Sequence, residues 1–333
     1  MIGEGRARHD AGRSNMHVVI GGGSGFIGTA LAERLRERGD RVTLISRFAG
    51  EGRITWAQVK DDPFPACDAV VNLAGKHILD LTRRWTLAYR DEVLASRIET
   101  TEALVAAINR MASPPEVFVS TAGKCFYGTA ELDGEQAYPE LTEESEPMGI
   151  DFPAELVSQW ERAAEGIDTS RTRHVQVRIG VVLGAVERKS YIGKLWRIGR
   201  ARGFLPIIRL PFCLGMGATI GHGRQPFPWI HIDDMVGILL HVIDNPQLQG
   251  RYNAVAPGIV SNHDFTHAFA RQLKRPVVWA APRWLIKRVV GAERASILLE
   301  GQNVKPKRTL ESGYRFEYPT IDSALDDLVE ITV

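Results

Sequence analysis

Cysteine is scarce: three residues, Cys67, Cys125 and Cys213, are scattered over 333 positions, with no Cys-x-x-Cys pair. That excludes a disulfide framework and fits a reducing compartment. Long hydrophobic runs are also missing. The longest apolar stretch, around Met235 to Ile243, is interrupted by His241 and falls far short of the roughly 20 residues that span a bilayer. Charge of one sign is missing as well: 41 Lys plus Arg against 40 Asp plus Glu leave a net charge of +1. No global field therefore draws the chain to nucleic acid or to an anionic membrane, and any basic site must be local. The seven tryptophans do not alternate with basic residues as a nucleic-acid stacking platform would. What is present, 44% hydrophobic and 24% charged residues, is the composition of an ordinary soluble globular protein with one large domain, or a main domain and a smaller one.

Residues 1–15 hold three Arg together with Glu4 and Asp10, without an apolar h-region or amphipathic pattern, and read as a disordered extension outside the fold. The expected location is cytoplasmic, with organellar import left open. From Met16 onward the pattern changes. His17 to Ile20 is a short apolar run, a glycine-rich turn follows, and Phe26 to Arg38 has apolar residues at helical spacing. Gly39-Asp40 breaks that helix, and Val42 to Ile45 is the continuous apolar run of a parallel strand covered on both faces. Further strands are expected at Ala69–Leu73, Val117–Ser120 and Val175–Leu183, with helices over Arg84–Asn109 and Phe152–Ala164. This alternation predicts an α/β fold: a Rossmann-type, doubly wound parallel sheet. Trp229–Ile232 reads as another strand, Asp233 as the N-cap of a helix through Val242, and Tyr252–Val255 as the last sheet strand. The expected organisation is a cofactor-binding domain from 16–184 and 217–260, a basic insert and loop at 185–216, and a small, mostly helical lobe for substrate at 261–333.

The strongest site signal is Gly22, Ser24, Gly25, Phe26, Ile27 and Gly28, in G-x-x-G-x-x-G spacing between the first strand and the first helix. Glycine is required where the chain turns tightly and a pyrophosphate approaches the backbone, and the helix N-terminus offers free N–H donors and a partial positive charge. A P-loop is absent: Gly123-Lys124 is followed by Cys125 and lacks the leading glycine. About 20 residues beyond the glycines, an NAD site would place a carboxylate on the ribose 2′-hydroxyl. Here Ser46 and Arg47 stand instead. A hydroxyl and a guanidinium suit a 2′-phosphate, which points to NADP(H).

These features, with VIGGGSGFIG (19–28), GRITW (52–56), DAVVNLAG (68–75), RRW (83–85), SRIETTEAL (96–104), RIGVVLG (178–184), PWIHIDDMVGIL (228–239) and LLEGQNVKP (298–306), resemble the extended short-chain dehydrogenase/reductases. Within them the chain looks like the atypical branch called epimerase family proteins (family 39U). The resemblance runs from about Met16 to the C-terminus, and the last segment looks like the branch's own C-terminal domain. It implies that Leu73 and Ala74 lie along the cofactor, that Glu92 and Arg97 are polar cofactor contacts, and that Val182 sits at the nicotinamide end. It also implies an oxidoreductase or epimerase acting on a small carbonyl or a sugar nucleotide and, by analogy, a homodimer formed through the long helices.

The chemistry of that superfamily needs a Tyr and, four residues on, a Lys on one helix face, so that the ammonium lowers the phenol's pKa. The corresponding helix reads DFPAELVSQWE from Asp151 to Glu161. The Tyr place falls at Phe152 or Pro153 and the Lys place near Val157. In the strand-end segment STAGKCFYG (120–128), Thr121 is the candidate to orient a carbonyl and Tyr127 or Lys124 the candidate proton donor. The alternative is an NADPH-binding protein without turnover that serves regulation or a partner. His231 with Asp233 and Asp234 reads as structural, with no metal expected, and no G-x-S-x-G nucleophile elbow occurs. Ala185 to Arg209, with seven Lys or Arg against Glu187, departs most from the apparent relatives and reads as an insertion with a solvated basic face.

Overall fold

A computed structural model describes residues 15–61, 63–76, 78, 83–128, 137–148, 151–184 and 203–329. The first unit is β1 (His17–Gly21), α1 (Phe26–Glu37) and β2 (Arg41–Ser46), followed by β3 (Arg53–Thr55), α2 (Trp56–Lys60), β4 (Ala69–Asn72) and α3 (Leu87–Arg110). Next come β5 (Val117–Gly123), a 3-10 turn at Lys124–Tyr127, β6 (Glu140–Leu141), α4 (Phe152–Ala164), β7 (Arg173–Ile179) and β8 (Val181–Leu183). Seven strands form one parallel sheet in the order β12-β7-β5-β4-β1-β2-β3, with β12 at Gly250–Ala254. Strand order reverses between β1 and β4, the switch point where ligands of open α/β sheets bind.

Alternation along the strands divides the core between the two faces. Val18, Ile20, Val71 and Val119 pack with Leu31 and Leu35 of α1 and with Ile238 and Leu239 of α6 (Ile232–Asp244). Val19, Ile45, Val70 and Phe118 face the other way, onto Leu104 and Ile108 of α3. Removing one such buried Leu would cost about 2–5 kcal/mol.

One strand and one helix cap depart from expectation. The apolar run Val175–Leu183 is two strands broken at Gly180, where an added Cβ would lie 2.7 Å from the Pro228 carbonyl oxygen. Past this break β8 leaves the main sheet and pairs with β11 (Trp229–His231). The cap of α6 is His231 rather than Asp233: its Nδ1 accepts from the Asp233 N–H at 3.1 Å, and Asp233 sits in the first turn.

The remaining elements pack around several smaller cores. Within the stretch expected to be insert and loop, Leu205–Cys213 is a helix, α5, whose Leu205 and Phe212 are buried with Phe265 and Phe269 of α7 (Asn262–Gln272) and Leu325 of α11 (Ile321–Leu328). β9 (Ala218–Ile220) pairs in parallel with β14 (Trp279–Ala281), and β10 (Pro226–Phe227) pairs with β13 (Val260–Ser261). The helices α8 (Arg283–Val290), α9 (Ala292–Leu299) and α10 (Lys307–Glu311), with β15 (Asn303–Val304), complete this part. The expected extension at 1–14 and the basic run at 185–202 lie outside the described residues. Among the described residues no helix is long and apolar enough to cross a membrane.

Candidate functional site

The carboxyl ends of β1, β2 and β4 meet at the switch point, and the glycines there are fixed by close backbone approach. Gly22 has φ +73°, and a Cβ on it would lie 2.6 Å from the Leu73 carbonyl oxygen. A Cβ on Gly28 would lie 2.5 Å from the Gly22 oxygen, and one on Gly25 3.1 Å from the same atom. The loop is closed by the Gly25 N–H donating to the Gly22 carbonyl at 2.9 Å. No side chain caps α1 and no acid occupies its first turn, so its amide donors face outward beside exposed Ser24 and half-buried Phe26 and Ile27. The residues present therefore fit a diphosphate: a Cβ-free cradle at the positive end of a helix.

At the end of β2, Ser46 is buried and its Oγ donates to the Phe48 carbonyl at 2.5 Å, folding the chain back so that Arg47 is exposed beside the cradle. No acid pairs with Arg47 among the described residues. The Leu73–Lys76 loop runs past the glycines, tied to β1 by the Leu73 N–H donating to the Gly21 carbonyl at 2.8 Å.

Asn72, absent from the sequence-based expectations, organises this loop. Its Oδ1 accepts from the Ala74 N–H at 3.1 Å, while its Nδ2 donates to Thr101 Oγ1 at 2.9 Å. A polar residue ending an apolar strand was the available signal.

Glu92 and Arg97 of α3 both reach the same loop. Glu92 is bound by Lys76 Nζ at 2.6 Å and by Arg83 at 3.3 Å, and the Lys76 hydrogen bond and charge hold its carboxyl below the usual range. Arg97 is buried under Gly75, donates to the Lys76 carbonyl at 2.8 Å and to Val93 at 3.1 Å, and packs over the Trp160 ring. Burial lowers its pKa to about 10. Both side chains thus shape the loop. Val182 of β8 lies beside Ile230 in register and is half-buried.

The catalytic candidates at the other end are placed differently. Thr121 is buried, and its hydroxyl gives its one proton to the Asn72 carbonyl at 2.7 Å, so it has none to offer a substrate oxygen. Tyr127 is fully buried: its hydroxyl donates to Asn253 Oδ1 at 2.8 Å and accepts from Arg178 Nη1 at 3.1 Å. Burial pushes this phenol up, against the opposing pull of Arg178. Lys124 is buried and donates to Gln302 Oε1 at 2.5 Å. The geometry gives all three structural work, contrary to the expected roles of carbonyl orienter and proton donor.

Arg178 is the centre of that network, bound bidentately to Glu161 at 2.7 and 2.9 Å with the Phe126 ring 3.4 Å beneath its guanidinium. Of the two expected Tyr places, Phe152 is covered by the Arg90 guanidinium at 4.0 Å and by Trp85 edge-on at 5.4 Å and Pro153 is buried, and Val157, near the expected Lys place, is buried too. His231, Asp233 and Asp327 come within 4.8 Å of one another. Both ring nitrogens are engaged, Nδ1 accepting from the Asp233 N–H and Nε2 facing Asp327 at 3.2 Å, which makes the ring a helix cap with a hydrogen-bond partner.

Residues 18–150 match the NAD dependent epimerase/dehydratase family, and residues 281–328 match a domain of unknown function (DUF1731). Epimerase family protein SDR39U1 of Bos taurus is 43% identical over 94% of this chain and 100% of its own length. The chain belongs to this epimerase family. The crystal structure of the human SDR39U1 protein (isoform 2) with NADPH is similar at a TM-score of 0.85 and 41% identity, covering 94% of this chain and 99% of that one. A nucleoside-diphosphate sugar epimerase from Corynebacterium glutamicum follows at a TM-score of 0.71 and 27% identity, covering 95% of this chain and 58% of that one.

Proposed function

We propose that this chain binds NADP(H) at the β1/β4 switch point and reduces a small carbonyl held between the sheet and the C-terminal lobe. The observation that carries the reading is the cradle at Gly22, Gly25 and Gly28 with the exposed cation of Arg47 beside it; the NADPH complex of the human relative supports it. When bound, NADPH supplies a hydride from C4 of its nicotinamide. The amides at the start of α1 hold the diphosphate, Arg47 receives the 2′-phosphate while Ser46, its hydroxyl proton given to the Phe48 carbonyl, only positions it, and Leu73–Lys76, braced by Asn72 and Arg97, lines the path between the two ends. Val182 packs at the nicotinamide end.

Reduction is favoured over epimerisation because of what Phe152 and Val157 cannot do. Epimerisation of an alcohol begins with removal of its proton by a positioned base. Reduction only requires a proton for a strongly basic alkoxide, which water or the substrate's own acidic group can deliver. The same two residues favour a second reading, a cofactor-holding protein without turnover. Mixing NADPH-loaded protein with a panel of small aldehydes, ketones and sugar nucleotides under single-turnover conditions separates them. Loss of the reduced-nicotinamide absorbance with one substrate class is the expected result; persistence of absorbance with every class, with binding intact, would leave the second reading.

A further inference from the structure

The C-terminal lobe carries an apolar and basic surface that neither the cofactor cradle nor the core uses. Residues 274–291 contain five Lys or Arg and no Asp or Glu. Within them Val278, Trp279, Trp284 and Val289 are exposed by 71%, 43%, 69% and 67%. Exposure this high for two tryptophans and two valines in one short stretch is unusual for a surface that meets only water. The helix at its centre, α8, turns Ile286 and Val290 inward onto Ala295 and Leu299. Trp284 and Arg288, one turn apart, lie on the outward side with Lys287 next to them, and all three are exposed. Lys274 and Arg275, ahead of β14, are exposed too. Beside β14, just before its partner β9, Leu214 and Met216 are 63% and 52% exposed. Arg283 differs from the other cations in facing Glu300, at 3.7 Å.

We propose that this surface docks on an anionic lipid bilayer. Tryptophan rings favour the boundary between headgroups and acyl chains, and short aliphatic side chains on the same stretch add buried area there. The four exposed cations, Lys274, Arg275, Lys287 and Arg288, with no acid in their stretch of chain, complement a negatively charged leaflet. The near-zero net charge of the whole protein makes the attraction local and oriented, with α8 lying in the interface plane. A nucleic-acid partner fits less well, because Val278 and Val289 have no base or phosphate to meet.

The test is flotation of the full-length chain with equimolar phosphatidylserine and phosphatidylcholine vesicles, against phosphatidylcholine alone. Flotation with the anionic vesicles, weakened by added salt, is expected, with little on the neutral ones. Lys287→Glu with Arg288→Glu should lower partitioning about tenfold or more, and Trp284→Ser should lower it at any salt concentration. All three positions are exposed, so the thermal midpoint and NADPH binding should not change. No flotation with anionic vesicles, or equal flotation by the charge-reversed variant, would overturn the proposal. So would capture of a single-stranded oligonucleotide in place of vesicles, or a dimer that Trp284→Ser dissociates in the absence of lipid binding.

Discussion

The switch point and the region around β5 are built on opposite plans. At the switch point, Gly22, Gly25 and Gly28 clear space, the amides of α1 point outward and Arg47 is exposed. Around β5 and the turn after it the polar groups are buried and already bonded: Thr121 to Asn72, Tyr127 to Asn253 and Arg178, Lys124 to Gln302. Phe152 or Pro153, and Val157 nearby, hold the places where the sequence led one to expect the superfamily's acid/base pair. A surface that keeps donors unspent binds ligands, whereas one whose donors are paired internally contributes rigidity. On the proposed reading, the contrast teaches that cofactor binding and proton transfer are separable properties of this fold: the first has unspent donors among the described residues, while the candidates for the second are bonded internally.

Breaking the switch point should have the largest effect. Gly22→Val combines a positive φ with a clash against the Leu73 carbonyl, and should abolish binding of both reduced dinucleotides in a calorimetric titration. The circular dichroism spectrum checks that the sheet persists. Breaking the other region should cost stability instead of binding. Arg178→Met leaves Glu161 buried without its bidentate partner, and chemical denaturation should show a loss of about 3–5 kcal/mol. Next in size is Arg47→Ala. A charge-assisted phosphate contact contributes roughly 1.5–3 kcal/mol, so NADPH affinity should fall about tenfold to a hundredfold while NADH affinity barely changes. Tyr127→Phe is expected to destabilise by about 1–2 kcal/mol and to leave any carbonyl reduction unaltered; a large loss of turnover at full stability would return Tyr127 to the chemistry.

The last effect concerns pH. His174, packed on Phe118 and bonded to Ser120 Oγ, is lowered from 6.5 to about 4, first by burial and then by Arg251. Its folded pKa lies below its unfolded one, so the unfolded chain takes up the proton first as pH falls. The neutral ring's contribution is complete above about pH 6.5 and declines toward pH 4. Denaturation at several pH values should show a decline of roughly 2–3 kcal/mol across that window, and His174→Gln should flatten it.

Much of the frame was readable along the chain, because local signals set it. The apolar runs of β1 and β2, the glycines between β1 and α1, and the helical spacing of α1 and α4 each act within a few residues. β3 and α2 left too short a pattern to show a period. The break at Gly180 was hidden inside one apolar run, since what forces it is the carbonyl of Pro228, far along the chain. The roles of Tyr127 and Thr121 were unreadable for the same reason. Partners 126, 51 and 49 residues away consume their hydroxyls, and a local Tyr-Gly motif carries no trace of them. His231 as a cap was obscured by Asp233, the commoner capping residue two positions on.

The most direct test of the contrast is a pair of calorimetric titrations of the purified chain with NADPH and with NADH, on the unaltered protein and on Arg47→Ala. Tight NADPH binding that falls to the NADH level in the variant is the expected result. Absence of heat with NADPH, or equal affinity for the two dinucleotides before the substitution, would contradict it.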